Sequence, residues 1–151
     1  MPRNTPTPAR ILIAADSPLE ALAIESMLRA GGHTNVRVTS DAREIEPLHE
    51  KWPYVVLVLD MSMHSHDSLD VLASLSEQIE HRQLAVLALT ASGDEVAQER
   101  ALAAGAADVF TRPFTRAETL MRVAGALASL PGPTVDDVVL NAVKKRFSPM
   151  M

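Results

Sequence analysis

The stretch that decides the fold is Tyr54-Val55-Val56-Leu57-Val58-Leu59-Asp60. The residues before the acid are too apolar for a half-exposed strand, so they predict a central strand buried on both faces. Asp60 then lies at the carboxyl end of that strand. In open sheets of parallel strands, ligands bind outside the carboxyl ends, which places Asp60 for chemistry. Taken alone, an aspartate after a strand is also a common turn residue or helix cap.

The composition indicates one compact domain. The sequence has 151 residues, of which 47% are hydrophobic, enough for a continuous core. Its net charge is −5, and it shows no basic stripe interleaved with aromatic residues, which argues against direct nucleic-acid binding. It has no cysteine, so disulfides, thiolate metal sites and cysteine nucleophiles are excluded. Since no signal peptide or long apolar segment is visible, we expect a soluble cytoplasmic protein without a membrane span.

Short apolar runs alternate with segments of helical periodicity, which predicts parallel strands joined by crossover helices. The predicted strands are Arg10 to Ala15, Asn35 to Thr39, Tyr54 to Leu59, Leu84 to Leu89 and Asp108 to Thr111. The first, third and fourth are the most apolar and are expected in the middle of the sheet. The predicted helices are Pro18 to Ala30, Asp41 to Glu50, Leu69 to Glu80, Asp94 to Ala104 and Arg116 to Ala128.

The chain divides into four segments. Residues 1–9 are expected to form a flexible N-terminus, 10–128 the folded domain and 129–133 a linker, because Pro131-Gly132-Pro133 cannot continue a helix. Residues 134–151 are expected to form an extra helix and tail, with Thr134 as N-cap. The apolar stripe of this helix predicts that it packs on its own domain or on a partner.

Polar residues follow four different predicted strands. They are Asp16, Asp60, Thr90 and Arg112. Because the carboxyl ends of parallel strands meet at one edge of a sheet, we expect these side chains to converge on one crevice.

At these positions the sequence resembles the receiver domain of bacterial two-component response regulators, over roughly Arg10 to Ala128. The segments that carry the resemblance are Ile11-Leu12-Ile13-Ala14-Ala15-Asp16-Ser17-Pro18, Val58-Leu59-Asp60-Met61-Ser62-Met63, Leu87-Ala88-Leu89-Thr90-Ala91, Ala104-Gly105-Ala106-Ala107-Asp108 and Thr111-Arg112-Pro113-Phe114. The spacing between the four polar residues also matches that family. The resemblance implies an α/β, flavodoxin-like (βα)5 doubly wound parallel sheet with strand order 2-1-3-4-5, to which the C-terminal helix is added.

The resemblance further implies a phosphorelay signalling domain rather than a conventional enzyme. Asp60 would be the phosphoacceptor, attacking a phosphoryl group and carrying it as an aspartyl phosphate. A Mg²⁺ ion would be held by Asp16, Asp60 and the backbone carbonyl of Ser62, since Mg²⁺ prefers oxygen ligands.

The remaining family positions form the cation and the switch. Arg112 would neutralise phosphoryl charge, and we expect the Arg112-Pro113 bond to be cis. Thr90 and Phe110 would respond to the phosphoryl group. The implied partners are a histidine kinase or phosphotransfer protein, a downstream protein target, and a second copy of the chain through residues 94–128.

The sequence departs from the family pattern in the site. The family has two adjacent acids after the first strand, and the first of them is replaced by Ala15 in this sequence. Removing such an outer-shell partner typically weakens metal affinity about 10 to 100-fold. The family's lysine is Arg112, its loop proline falls at His64 and its loop glycine at Ser68. These changes leave two alternatives: a receiver phosphorylated on Asp60, or a degenerate receiver that acts as a phosphorylation-independent interaction module.

Two other interpretations use the same region. His64, His66 and Asp67 are suitable ligands for a transition metal, although such loop residues are more often solvated, and His66 or Ser68 can start the third helix. A flavodoxin-like enzyme or nucleotide binder would use the same crevice, but the turn Ala15-Asp16-Ser17-Pro18 lacks the glycines of a phosphate-binding loop.

Overall fold

Five parallel strands form one sheet in the computed structural model, which describes residues 8–131. The strands are β1 (Ile11–Ala14), β2 (Val36–Thr39), β3 (Val56–Asp60), β4 (Ala85–Ala91) and β5 (Asp108–Arg112). Their order is β2-β1-β3-β4-β5, which confirms the expected topology. The three most apolar strands lie in the middle, as predicted, because a strand covered on both faces needs apolar side chains on both.

Helices connect the strands and cover both faces of the sheet. They are α1 (Pro18–Ala30), α2 (Ile45–Lys51) after a 3-10 turn at Ala42–Glu44, α3 (Ser68–Ser74), α4 (Ser76–Glu80), α5 (Glu95–Ala103) and α6 (Arg116–Ser129). The single helix predicted over residues 69–80 is wrong, since it breaks at Leu75 (φ −101°, ψ 7°). At the break, the Val71 carbonyl accepts hydrogen bonds from the Ser74 hydroxyl at 2.7 Å and from the Leu75 backbone N–H at 3.1 Å.

The sheet separates two hydrophobic cores. Ile11 and Ile13 of β1 pack with apolar residues of α1 and α6 on one face. Leu12 and Ala14 pack with residues of α2 and α3 on the other. Alternate side chains of a strand point to opposite faces, so one short apolar strand supplies both cores. The prediction that the central strands are buried on both faces is therefore confirmed.

Both ends of the chain lie outside the residues that the structure describes. α6 runs to Ser129, one residue beyond its predicted end and into the predicted linker. The N-terminal segment before Pro8, the linker beyond Pro131 and the helix predicted over residues 134–151 lie outside the described residues. In the part of the chain that is described, no helix is long and apolar enough to cross a membrane.

Candidate functional site

Asp60 is the last residue of β3, and only 2% of it is exposed. Its Oδ1 accepts hydrogen bonds from the Ser62 backbone N–H at 2.9 Å and from the Ser62 hydroxyl at 2.6 Å. Its Oδ2 accepts one from the Asp16 backbone N–H at 3.2 Å. Burial alone would raise the pKa of Asp60, but these bonds and Arg112 together lower it below its usual value. Asp60 is therefore a buried carboxylate that stays ionised at neutral pH.

Asp16 follows β1 and faces His64. Its Oδ1 accepts a hydrogen bond from the His64 backbone N–H at 3.2 Å, and its Oδ2 contacts the ring Nδ1 of the same residue. The His64 side-chain bond is the largest cause that lowers the pKa of Asp16, and the same bond raises the pKa of His64. Both oxygens of Asp16 therefore already have a partner within the chain.

The transition-metal interpretation of the histidine loop is wrong for the described residues. His64 pairs with Asp16, and Asp67 caps α3 by accepting the Leu69 backbone N–H at 2.8 Å. No cluster of three histidine, aspartate or glutamate side chains that could hold a metal ion occurs within residues 8–131. The loop position Ser68 has another use, because its buried hydroxyl donates to the Asp60 carbonyl at 2.8 Å and fastens the loop to β3.

Arg112 lies between two carboxylates. Its Nε and Nη2 donate to the two oxygens of Glu20 at 2.7 and 2.8 Å, and Nη2 lies 3.1 Å from Oδ1 of Asp60. The bidentate bond to Glu20 is the largest cause that raises the pKa of Arg112, with Asp60 contributing in the same direction. Glu20 is in the first turn of α1, 92 positions from Arg112, and was not among the predicted site residues. The Arg112-Pro113 peptide bond is cis, as predicted.

Thr90 carries a buried hydroxyl without a partner. Thr90 is 3% exposed, and its Oγ1 has no hydrogen bond within the described part of the chain. It follows Leu89, which pairs with Asp60 on one side and with Phe110 on the other, so Thr90 lies one step beyond Asp60 at the carboxyl edge. Phe110 is 2% exposed and packs against Phe114, with ring centroids 5.3 Å apart.

Replacing Thr90 with valine is expected to raise the free energy of unfolding by about 1 kcal/mol, because a buried hydroxyl without a hydrogen bond costs about 1–3 kcal/mol. Urea unfolding followed by circular dichroism measures this change. Thr119→Val is the matched control, since Thr119 is equally buried but its hydroxyl donates to the Thr115 carbonyl at 2.8 Å. That variant should lose stability. A Thr90→Val protein as destabilised as Thr119→Val would show that Oγ1 has a partner.

The chemical type of the oxygen atoms at this edge of the sheet suits a magnesium ion. Asp16, Asp60 and the backbone carbonyl of Ser62 are hard oxygen donors, and their positions in the fold bring them to one place. Ala15 is 1% exposed and supplies no acid, so the site has two carboxylates where the family pattern has three. The chemistry of the donors suits Mg²⁺, but a metal bound by Asp16 has to compete with His64.

Comparison with known proteins matches residues 11–124 to the family model described as the response regulator receiver domain. The phosphate regulon transcriptional regulatory protein PhoB of Klebsiella pneumoniae is 27% identical over 130 residues, 86% of this chain and 56% of that protein. The transcriptional regulatory protein SrrA of Staphylococcus aureus is 28% identical over 101 residues, 67% of this chain and 41% of that protein. The chain thus spans about half the length of the curated relatives it matches.

A solved structure shows the same fold. The response regulator signal receiver domain from Bermanella marisrubri superposes with a TM-score of 0.71 at 26% identity. The superposition covers 80% of this chain and 99% of that one. The similarity therefore extends over most of the chain rather than over a single motif.

Proposed function

Because the chain belongs to the response regulator receiver domain family, we propose that it accepts a phosphoryl group on Asp60 from a histidine kinase or phosphotransfer protein. The observation that carries the proposal is the state of the Asp60 side chain, a buried and ionised carboxylate faced by the Arg112 guanidinium. The receiver family is a signalling domain, and the chemistry proposed here is limited to the gain and loss of one phosphoryl group.

The proposed transfer is a displacement at phosphorus. An Asp60 carboxylate oxygen forms the new P–O bond while the donor's leaving group departs with the electrons of the broken bond. Nη2 of Arg112 can move from Asp60 to a phosphoryl oxygen, and the unpartnered Thr90 hydroxyl can donate to another. A Mg²⁺ ion held by Asp16, Asp60 and the Ser62 carbonyl would neutralise charge on the transferred group.

His64 is expected to weaken that metal site. Its ring and backbone contact the two oxygens of Asp16, and the side-chain bond to Asp16 raises the pKa of His64, which favours a protonated ring beside this carboxylate. His64→Ala should tighten Mg²⁺ binding about tenfold, the scale of partners next to metal ligands. Isothermal titration calorimetry at neutral pH measures the affinity. His66→Ala, an exposed histidine in the same loop, should leave it unchanged, and an equal affinity in all three proteins would contradict the competition.

The proposed output is a change of protein contacts. An aspartyl phosphate adds about −1.5 to −2 charges, which would draw the Thr90 hydroxyl toward Asp60 and bias the packing of Phe110. The surface formed by α5, β5 and α6 exposes Val96, Leu102 and Met121, three large apolar side chains. We propose that this surface binds a downstream target or a second copy of the chain, and that it does so in the cytoplasm.

The interaction-module alternative is not favoured, because the matched family is the response regulator receiver domain and the proposed acceptor Asp60 still has a cation, Arg112, at 3.1 Å. The test is incubation with acetyl phosphate, with and without Mg²⁺, followed by intact mass measurement. One added phosphoryl group per chain is expected with Mg²⁺, and chelation should prevent it. The absence of an adduct with acetyl phosphate and also with a phosphorylated histidine donor would contradict the proposal.

A further inference from the structure

A small basic cavity lies at the end of the sheet opposite Asp60, where the first three strands begin. It is lined by Arg10, Asn35, Arg37, Trp52 and Tyr54 and has a volume of about 220 Å³. Its residues come from three separate parts of the chain, the entries to β1, β2 and β3. No acidic side chain is among them. The cavity is therefore a concave surface with positive charge on a protein whose net charge is negative.

The cations of the cavity lack acidic partners. No salt bridge within residues 8–131 includes Arg10, Arg37 or Lys51. The two arginines act on the same phenol: burial raises the pKa of Tyr54, and the positive charges of Arg37 and Arg10 oppose that rise. Two guanidinium groups thus lie within electrostatic reach of one buried side chain, and their attraction for an anion is not met by the surrounding protein.

Trp52 holds the cations in place. The guanidinium carbon of Arg37 lies 4.2 Å from the centroid of the indole ring, and Nζ of Lys51 lies 4.5 Å from it. Such contacts reduce the freedom of a long side chain before a ligand arrives. With two cations this close to its ring, Trp52 is placed to orient the positive charge beside the cavity.

The cavity is small and open to solvent. Its volume of about 220 Å³ is below the range of about 300–1,000 Å³ for pockets that enclose drug-sized molecules. Guanidinium groups bind carboxylates in a bidentate geometry, and a side-chain carboxylate is small enough to enter. We propose that this basic cavity binds the carboxylate groups of an acidic polypeptide segment, at a site separate from the phosphoacceptor.

The occupant we infer is an acidic segment of a partner protein, because the arginines that line the cavity have no acidic partner among residues 8–131 and are complementary in charge to such a segment. The sequence of the chain also contains an acidic pair, Asp136 and Asp137. A variant of the full chain tests whether that pair competes for the cavity.

Trp52 provides the assay, since it is the only tryptophan in the sequence. The full chain is titrated with an end-blocked hexaglutamate peptide while the Trp52 fluorescence and the heat of binding are recorded. A saturable response is expected, which weakens as salt screens the charges. End-blocked hexaglutamine should give none. An equal response to both peptides, or a response to inorganic phosphate but not to hexaglutamate, would overturn the assignment.

Variants locate the binding. Arg10→Gln and Arg37→Gln should each weaken hexaglutamate binding at least tenfold in calorimetry, which does not depend on the altered surroundings of Trp52. Arg100→Gln is the matched control, because Arg100 is an exposed arginine of α5 that also lacks a salt bridge among the described residues. If all three variants bound hexaglutamate equally weakly, the cause would be the change in net charge rather than the cavity, and the proposal would be overturned.

The doubly substituted chain Asp136→Asn, Asp137→Asn identifies the source. Equal binding to this variant and to the parent is expected, because the proposed segment belongs to a partner. Binding at least tenfold tighter to the variant would assign the cavity to the chain's own acidic pair and contradict a partner segment, and no binding to either protein would refute the carboxylate site. Asp60→Asn should bind the peptide as the parent does, because the cavity acts independently of the proposed phosphorylation.

Discussion

Substituting Asp60 by asparagine is expected to abolish phosphoryl incorporation completely. An amide oxygen is not a nucleophile comparable to a carboxylate, whereas the side chain keeps its shape. The Ser62 N–H and hydroxyl can still donate to Oδ1, and Arg112 keeps its bidentate bond to Glu20. The variant should therefore fold and lose only its reactivity. Intact mass after incubation with acetyl phosphate and Mg²⁺ measures the loss, and circular dichroism checks the fold.

Asp70→Asn is the control for this experiment. Asp70 is an exposed acid in the first turn of α3, close in sequence to Asp60, and it should be phosphorylated as the parent is. An Asp60→Asn protein that still gains a phosphoryl group would show that another residue is the acceptor. That result would refute the role of Asp60 without affecting the fold or the family.

Truncation of Leu87 to alanine should cost about 3–5 kcal/mol of unfolding free energy, the range for a large aliphatic side chain removed from a packed core. Leu87 is 0% exposed, lies in the middle of β4 and contributes to the core on the α1 and α6 side of the sheet. Since domains of this size are stable by about 5–15 kcal/mol, the loss is a large part of the total.

Chemical denaturation with guanidinium chloride measures this change as a shift of the midpoint at an unchanged slope. Leu102→Ala on α5 is the matched control, because the same side chain is removed from a position that is 50% exposed. It should change the stability by less than about 0.5 kcal/mol. Equal losses in the two variants would contradict the assignment of Leu87 to a tightly packed core.

Much of the fold could be predicted from the sequence because its signals are local. The apolar run before Asp60 identifies a strand buried on both faces, and α1 begins at Pro18 and ends at Ala30 as predicted. The break at Leu75 was missed because the apolar pattern of residues 69–80 continues through it unchanged, so hydrophobic periodicity gives no signal there.

The site could be predicted only in part. Strand ends bring Asp16, Asp60 and Arg112 together, and Asp60 contacts both of the other residues directly. The partners Glu20 and His64 were not foreseen, because each contact depends on side-chain direction across a gap in sequence of 92 and 48 positions. The arginine in place of the family's lysine was an available signal for Glu20, because a guanidinium has enough donors to bind a second carboxylate.

The same limit explains why the basic cavity was missed. The sequence has a net negative charge, and no run of consecutive residues in it forms a basic stripe. The fold places the entries to three strands side by side, so Arg10 and Arg37 meet at one end of the sheet although 27 positions separate them in the numbering. A charge pattern read along the chain does not report such a cluster.

The most direct test of the central claim is to locate the phosphoryl group after reaction with acetyl phosphate. Borohydride reduces an aspartyl phosphate to homoserine, which marks the acceptor permanently. Trypsin cuts after Lys51 and Arg82, so Asp60 lies on the peptide from Trp52 to Arg82. Fragmentation of this peptide is expected to show homoserine at position 60 in the sample with Mg²⁺ and aspartate in the chelated control. Homoserine at another position, or unmodified Asp60 in both samples, would contradict the account.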